Sequence, residues 1–306
     1  MALQLALQIL GLFFMIFCGW FIVKIKILKS VDSKILSIIV IYLINPFVII
    51  GSFQVSNTEK IKRELLFSIL LSLCIHIVLL IIVKILEKFF KLNNIEKASI
   101  IYGNSANMVI PIVIALFGRE YVIYSIGFFV VQMVFLWTHS KYIISETKSI
   151  NLKGLIIDIN MISIIIGILL FLLQIKIPSI FLTPMNSIGG MIGPMTMIIS
   201  GMLMTEINFK NIKIYRNLPM VVFLRMIAIP FIIVIFMKGI KIYLPVKVEG
   251  YIYIISLLAD ITPTAATITQ QCQIYNKDSV YSNTIYVLTT FVCVLTMPLL
   301  LKIFIG

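Results

Sequence analysis

Residues 101–111 read IYGNSANMVIP, and residues 259–271 read ADITPTAATITQQ. Each is a polar stretch with a proline, set inside a long apolar segment of the chain. Proline removes one helical hydrogen bond and clashes with the preceding turn, so both stretches predict a broken helix. Where such a break lies at membrane depth, its backbone must be satisfied by other protein groups or by a water-filled cavity.

The composition of the whole chain is typical of a membrane protein. Of its 306 residues, 61% are hydrophobic and 12% are charged, and the mean hydropathy is +1.12. Soluble domains carry roughly 25% charged residues, so a water-soluble fold could not cover this much apolar surface. Apolar stretches of about 20 residues, the length that crosses a bilayer, recur along the sequence. We therefore predict an all-α polytopic protein whose solvent is the lipid bilayer.

The apolar stretches predict ten transmembrane helices. They lie at approximately residues 3–23, 35–54, 65–86, 98–117, 121–144, 154–174, 181–204, 217–237, 249–273 and 280–305. Loops that follow odd-numbered helices hold more Lys and Arg than the opposite loops and the termini. By the positive-inside rule these loops are cytoplasmic. The expectation is a multi-pass protein of the cell inner (plasma) membrane with both termini outside.

Charge and reactive side chains exclude several classes of function. The net charge is +13, but the 25 Lys and Arg residues form no basic face interleaved with aromatic residues, so no nucleic-acid partner is expected. His76 and His139 have no acidic or cysteine neighbour at triad or ligand spacing. The four cysteines lie in apolar segments without paired spacing. We predict no enzyme activity, no metal site and no cofactor.

The spacing of prolines indicates an internal repeat. Pro46 and Pro194 are separated by about 150 residues, and so are Pro111 and Pro263. With this offset, each proline of the first half corresponds to a proline five predicted helices later in the chain. Because five is odd, the second copy has the opposite orientation in the membrane. The expected domains are an N-terminal five-helix repeat at 1–150 and an inverted C-terminal five-helix repeat at 151–306.

Broken helices at corresponding positions of inverted halves predict a binding site near the middle of the membrane. Their half-helix N-termini are the positive ends of helix dipoles and favour an anion. Polar side chains beside the breaks could donate hydrogen bonds to a carboxylate: Asn104, Asn107, Thr262 and Thr264. The simpler interpretation is that Pro111 and Pro263 only kink packed helices and that these side chains bond nearby backbone.

Three further polar residues lie inside predicted helices. An ionised carboxylate at the position of Asp260 costs at least about 2.5 kcal/mol, so we expect it to couple transport to H⁺ or Na⁺ or to pair with Arg225. Arg225 could neutralise a bound anion, or it could pair with Asp158 or Asp260. Asn45, next to Pro46, is either a substrate contact or a helix-to-helix hydrogen bond.

Around the two breaks the sequence resembles the auxin efflux carrier family, which includes bacterial malate and malonate permeases and plant auxin exporters. The run Gly103-Asn104-Ser105-Ala106-Asn107, followed by Ile110-Pro111 and an apolar stretch to Phe117-Gly118, is similar to the family's Asn-rich segment. The likeness continues at Pro46-Phe47, Pro219 to Arg225, Pro263-Thr264-Ala265 and Thr296-Met297-Pro298, and spans nearly the whole chain.

The resemblance implies a fold of ten helices in two inverted repeats, with broken helices 4 and 9 crossing each other. It implies a rigid-body motion of one domain against a scaffold, and a homodimer, as in plant relatives. It places the site on Asn104, Asn107 and Pro111 from one helix and on Pro263, Thr264 and Ala265 from the other. The family usually has a small or apolar residue where this chain has Asp260.

The expected function is secondary active transport of a small organic anion by alternating access, with malate or another mono- or dicarboxylate as substrate. An alternative is a sodium- or proton-coupled antiporter or symporter of related fold, with Asp260 as the ion site. An alternative from another class is a membrane receptor or structural protein that transports nothing.

Overall fold

The computed structural model describes residues 2–55, 58–146, 157–207, 215–243 and 250–305. These residues form helices and no strand. We number the helices in chain order: α1 Ala2–Lys24, α2 Ser30–Ser52, α3 Glu59–Phe90, α4 Asn94–Ile101, α5 Ser105–Leu116, α6 Ile123–Phe135, α7 Ile159–Leu172, α8 Ser179–Met204, α9 Leu218–Tyr243, α10 Gly250–Asp260, α11 Ala266–Ile274 and α12 Ser279–Ile305. Helix α6 continues through the π turn Leu136–Ser140 and the short helix Lys141–Ser145.

The helices are those of an integral membrane protein. Within the described ranges, five segments are long and apolar enough to cross a bilayer, namely α2, α3, α8, α9 and α12. Shorter apolar helices lie at Gly11–Lys24, Ile159–Leu172 and Gly250–Asp260. Large apolar side chains such as Phe14, Leu66 and Leu295 are exposed on the chain alone, as expected for surfaces that lipid covers. The all-α polytopic class is confirmed, whereas the exact ten-helix inverted repeat and its two domains stay predictions.

Both predicted helix breaks occur, but only one lies at its proline. Helix α10 ends at Asp260, and Pro263 lies in the irregular segment before α11. Helix α4 ends at Ile101, Tyr102 is extended, and α5 begins at Ser105. Pro111 lies inside α5, so the expectation of a break at Pro111 is wrong. The break instead falls at the Tyr102-Gly103-Asn104 segment, where glycine and asparagine are poor helix formers.

Three π turns bring polar residues of other helices to these breaks. They span Val40–Ile44 in α2, Leu136–Ser140 after α6 and Leu224–Ala228 in α9. The first and third precede Pro46 and Pro230, whose rings would otherwise clash with a carbonyl of the preceding turn. A π turn inserts one extra residue and rotates the following helix face, a change often found at functional sites.

Helices α1, α2, α7 and α8 pack together and form what we call the first bundle. The remaining helices, α3 to α6 and α9 to α12, form the second bundle and contain both broken helices. The bundles meet where α2 contacts α11, where α8 contacts α12 and where α1 contacts α5 and α12. The crossover of the broken helices is therefore enclosed on one side by the first bundle.

The first bundle depends on two glycines at the crossing of α1 and α8. A Cβ added to Gly201 would overlap the Ile16 carbonyl and lie 2.7 Å from the Trp20 backbone nitrogen. A Cβ added to Gly19 would overlap the Ile198 carbonyl. Small residues allow such close backbone approach and are the usual basis of helix packing in membranes.

We expect Gly201→Ala to lower the stability of the detergent-solubilised protein by about 1–3 kcal/mol, because helix backbone cannot move aside as a side chain can. Thermal unfolding monitored by size-exclusion chromatography would measure the loss. Gly193→Ala is the matched control on the same helix, since a Cβ there meets nothing within 4 Å. Equal stability of the two variants would contradict the close crossing.

Candidate functional site

The two helix breaks cross and bond to each other through their backbones. Gly103 and Thr264 form an antiparallel bridge. The Asn104 N–H donates to the Pro263 carbonyl at 2.8 Å, and the Ala265 N–H donates to the Tyr102 carbonyl at 2.9 Å. Each break thereby satisfies backbone groups of the other, which is what irregular structure at membrane depth requires.

Arg225 holds the C-terminal ends of both first half-helices. Its guanidinium is 1% exposed and donates to the Ile100 carbonyl at 3.0 Å, to the Asp260 carbonyl at 2.6 Å and to the Thr262 carbonyl at 2.7 Å. The last carbonyls of a helix have no partner within the helix and form its negative end. One arginine therefore neutralises two helix ends and bonds carbonyls that would otherwise be unpaired.

Glycine is required at the centre of the crossover. A Cβ at Gly103 would overlap both the Arg225 guanidinium and the Thr262 hydroxyl. The Gly103 carbonyl also accepts a 2.7 Å hydrogen bond from Gln132 Nε2 of α6. The absence of a side chain lets the arginine pass between the two broken helices.

Four side chains that the sequence suggested as substrate contacts or ion-pair partners bond other groups of the protein instead. The Thr262 hydroxyl donates to the Ala259 carbonyl at 2.9 Å, and the Thr264 hydroxyl donates to the Ser99 carbonyl at 2.9 Å. Of the alternatives for Arg225, pairing with Asp158 is not observed, because Asp158 pairs with Lys141 at 2.7 Å. Arg225 bonds the Asp260 carbonyl, and between these two described residues there is no ion pair. The hydroxyls of both threonines and the guanidinium thus serve the backbone.

The second half-helices begin beside a small cavity between the two bundles. Its volume is about 10 Å³, enough for roughly one water. It is lined by Asn45 of α2, Asn104 before α5, Gln132 of α6, Thr196 of α8 and Gln270 of α11, together with Gly103, Met133, Leu136, Ile192, Ala265 and Thr267. This cavity unites three predicted site residues, Asn45, Asn104 and Ala265. The side chains of Asn107 and Pro111 lie outside the described part of the structure.

Two amides in this cavity have unused hydrogen-bonding atoms. Gln270 is 1% exposed, and neither Nε2 nor Oε1 has a partner among the described residues. Asn45 Nδ2 is also buried without a partner within the described ranges. A buried polar atom without a partner costs about 1–3 kcal/mol. A ligand that bound here could supply the missing hydrogen-bond partners and remove this cost.

The electrostatics of this small cavity favour an anion without a cationic side chain. Helices α5 and α11 begin at Ser105 and Ala266, and residues at both N-termini, Asn104, Ala265 and Thr267, line the cavity. Helix N-termini are positive dipole ends, equivalent to about half a charge each. The described lining residues include no Lys, Arg or His.

A much larger cavity of about 580 Å³ lies next to the small one, and Ile192 lines both. Residues of α1, α2 and α8 form one wall, and residues of α5 and α6 form the other. The lining is mostly apolar, with Met15, Phe47 and Phe129 among its side chains and Ser52 and Asn186 as its polar side chains. The larger cavity therefore offers an apolar chamber beside the amide groups.

Asp260 is buried and is not among the described residues that line either cavity. It is 2% exposed, and its Oδ2 atom has no hydrogen-bond partner within the described ranges. Ser256 lies one turn earlier in α10, and its Oγ is likewise buried without a partner there. The two oxygens share one face of the helix, because residues four apart are neighbours on a helix surface.

Several lining residues were not predicted as site residues from the sequence: Gln132, Thr196, Thr267 and Gln270. Thr267 and Gln270 lie in the polar stretch 259–271, so their polarity at membrane depth was a usable signal. Gln132 and Thr196 are isolated polar residues in apolar helices. Their position becomes evident only once α6 and α8 pack around the crossover.

Comparison with curated proteins found no match to this chain. A family model described as "Membrane transport protein" matches residues 5–301. The match extends over both broken helices, Arg225 and both cavities, and the members of this family are membrane transporters. The chain therefore belongs to the auxin efflux carrier family of membrane transport proteins.

Proposed function

We propose that this transporter is a secondary active permease for a small organic anion, whose carboxylate binds the amide groups at the small cavity beside the crossover while its body occupies the larger cavity. The observation that carries the proposal is the carboxamide of Gln270, which has no partner among the described residues and lines the same cavity as the residues at two helix N-termini. Amide and backbone N–H groups are the donors that bind a carboxylate, and helix dipoles stabilise its charge. Crossed broken helices at the middle of the membrane are a frequent substrate site in secondary transporters.

The two cavities favour one carboxylate on an apolar body over a dicarboxylate. None of the described residues that line them is Lys, Arg or His, so a second negative charge would lack a cationic partner. The 580 Å³ chamber is large enough for a ring or a short alkyl chain. We therefore place an amphipathic monocarboxylate ahead of malate, which was the first expectation from the sequence.

Uptake into proteoliposomes tests this proposal. Labelled malate, malonate, indole-acetate and a short-chain fatty acid would be compared under the same imposed gradients. We expect the two apolar monocarboxylates to be transported with the lower KM. Absence of flux for every organic anion would overturn the proposal, and preference for malate would overturn the substrate order.

We further propose that Asp260 couples transport to H⁺ or Na⁺, because its buried Oδ2 has no partner among the described residues and would be costly unless it bound an ion. We expect Asp260→Asn to lose accumulation driven by a pH or sodium gradient while substrate-for-substrate exchange continues. Asp278→Asn is the control, since Asp278 caps α12 by accepting from the Tyr281 N–H at 2.8 Å. Accumulation by Asp260→Asn with the wild-type dependence on both gradients would remove the coupling role.

The same carboxylate motivates a second candidate function, a sodium or proton antiporter or symporter of related fold. Ion-dependent flux in proteoliposomes without any organic anion would favour it over the permease. Location in the plasma membrane, termini on the outer side and assembly as a homodimer also remain proposals. Labelling of single cysteines at each terminus in intact cells, and the mass of the solubilised particle, test them.

A further inference from the structure

Three side chains at the start of α2 bond the end of α11. Gln273 Nε2 donates to the Ser33 hydroxyl at 2.6 Å, and the Ser37 hydroxyl donates to Gln273 Oε1. Lys34 Nζ donates to Asn276 Oδ1 at 2.8 Å. Ser33 and Ser37 are fully buried, and Gln273 is 7% exposed. We call the contacts of Gln273 with the two serines the Gln273 lock.

The Gln273 lock joins the two bundles rather than stabilising either one. Helix α2 belongs to the first bundle and α11 to the second, and the bonded residues are more than 230 positions apart in sequence. One carboxamide uses its donor and its acceptor at the same time, on two serines one turn apart in α2. This arrangement requires α11 to lie directly against α2.

A second amide–serine pair joins the bundles at the same end of the molecule. The Ser200 hydroxyl of α8 donates to Asn283 Oδ1 of α12 at 2.6 Å, and Asn283 Nδ2 donates to the Ser200 carbonyl at 2.9 Å. The end of α8 lies beside the start of α2, since the Ser30 hydroxyl bonds the Glu206 carboxylate. Polar contacts thus close this end along two helix pairs.

The opposite end of the same interface holds the larger cavity. Along α2, the serines of the Gln273 lock come first, Asn45 at the small cavity comes next, and Gly51 and Ser52 at the 580 Å³ cavity come last. The first and last of these positions are about 28 Å apart along the helix. The small cavity therefore lies between the Gln273 lock and the 580 Å³ cavity.

We propose that Gln273, Ser33 and Ser37 form the gate that closes the substrate site on the side of the membrane where α2 begins. This inference rests on the proposed function of the small cavity as the substrate site. Opening toward that side requires α11 to separate from α2, which breaks both hydrogen bonds of the lock. Neutral hydrogen bonds suit a gate because each contributes only modestly and water replaces both when the gap hydrates. In the predicted orientation this side is the cytoplasm.

The gate is tested by the reactivity of a single cysteine. Ile41 is buried in α2 between Ser37 and Asn45, and it would carry the reporter Ile41→Cys after the four native cysteines are replaced. Sealed vesicles of both orientations would be treated with a membrane-impermeant maleimide. With Gln273→Ala we expect labelling from the side where α2 begins to become at least about tenfold faster, because loss of the lock populates the state open to that side.

Two further variants keep the experiment decisive. The double variant Ser33→Ala, Ser37→Ala removes the same two hydrogen bonds by changing the serines instead of Gln273. It takes the place of Gln273→Ala if the Gln273→Ala variant fails to fold. Lys34→Ala removes the neighbouring exposed contact, and we expect labelling within about twofold of the unmodified protein, since exposed polar contacts contribute little.

The labelling needs no substrate, so it separates the gate from the proposed function. Faster labelling in the lock variants supports the gate even if none of the tested anions is transported. Folded lock variants that label at the unmodified rate overturn it, even if anion transport is normal.

Discussion

Arg225→Met is expected to abolish transport and to prevent recovery of a folded, monodisperse protein in detergent. The guanidinium donates to carbonyls at the ends of both α4 and α10, and methionine donates nothing. Each buried carbonyl left unpaired costs about 1–3 kcal/mol. Three of them amount to a large part of the 5–15 kcal/mol that stabilises a typical folded domain. Size-exclusion chromatography of the solubilised protein measures the outcome.

Two further variants accompany Arg225→Met: Arg225→Lys is the conservative replacement, and Arg216→Met is the control at an exposed arginine. Lysine keeps the charge but lacks the planar fork that reaches carbonyls on two helices, so we expect partial recovery and reduced transport. Arg216 is exposed, and its replacement by methionine is expected to leave folding unchanged. If Arg225→Met were recovered in the same folded amount as the wild-type protein, the crossover would not depend on the hydrogen bonds of Arg225.

Gln270→Met is expected to raise the KM for the transported anion about tenfold to a hundredfold while leaving stability unchanged or higher. A hydrogen bond to a charged group contributes about 1.5–3 kcal/mol, which corresponds to this range. In the unliganded protein the carboxamide has no partner among the described residues, so its removal breaks no bond. Transport kinetics and thermal unfolding of the same preparation would be measured together.

The neighbouring glutamine is the matched control. Gln271 is fully buried, and its carboxamide donates to the Leu136 carbonyl at 2.9 Å and accepts from the Ser140 hydroxyl at 2.7 Å. We expect Gln271→Met to lose stability, because it leaves both partners unpaired, and to change KM less than Gln270→Met does. The reverse pattern would place the substrate elsewhere than in the small cavity.

The sequence predicted much of the fold because membrane helices are encoded locally. Length, apolarity and the near absence of charge identify a spanning segment without reference to any other segment. The break at Pro263 was predictable for the same reason, since a proline without an N–H acts on its own turn. The same reasoning failed at Pro111, which α5 accommodates, while the actual break lies at Tyr102-Gly103-Asn104.

The candidate site was less predictable than the fold, because polarity alone does not reveal whether a side chain is already bonded. Thr262, Thr264, Arg225 and Gln270 are all polar residues at membrane depth. The first three bond backbone carbonyls, and Gln270 does not bond any described group. The broken helices and the family resemblance could be predicted from the sequence alone. Only the tertiary structure decided which donors stay available for a ligand, because their partners arrive from helices that are distant along the chain.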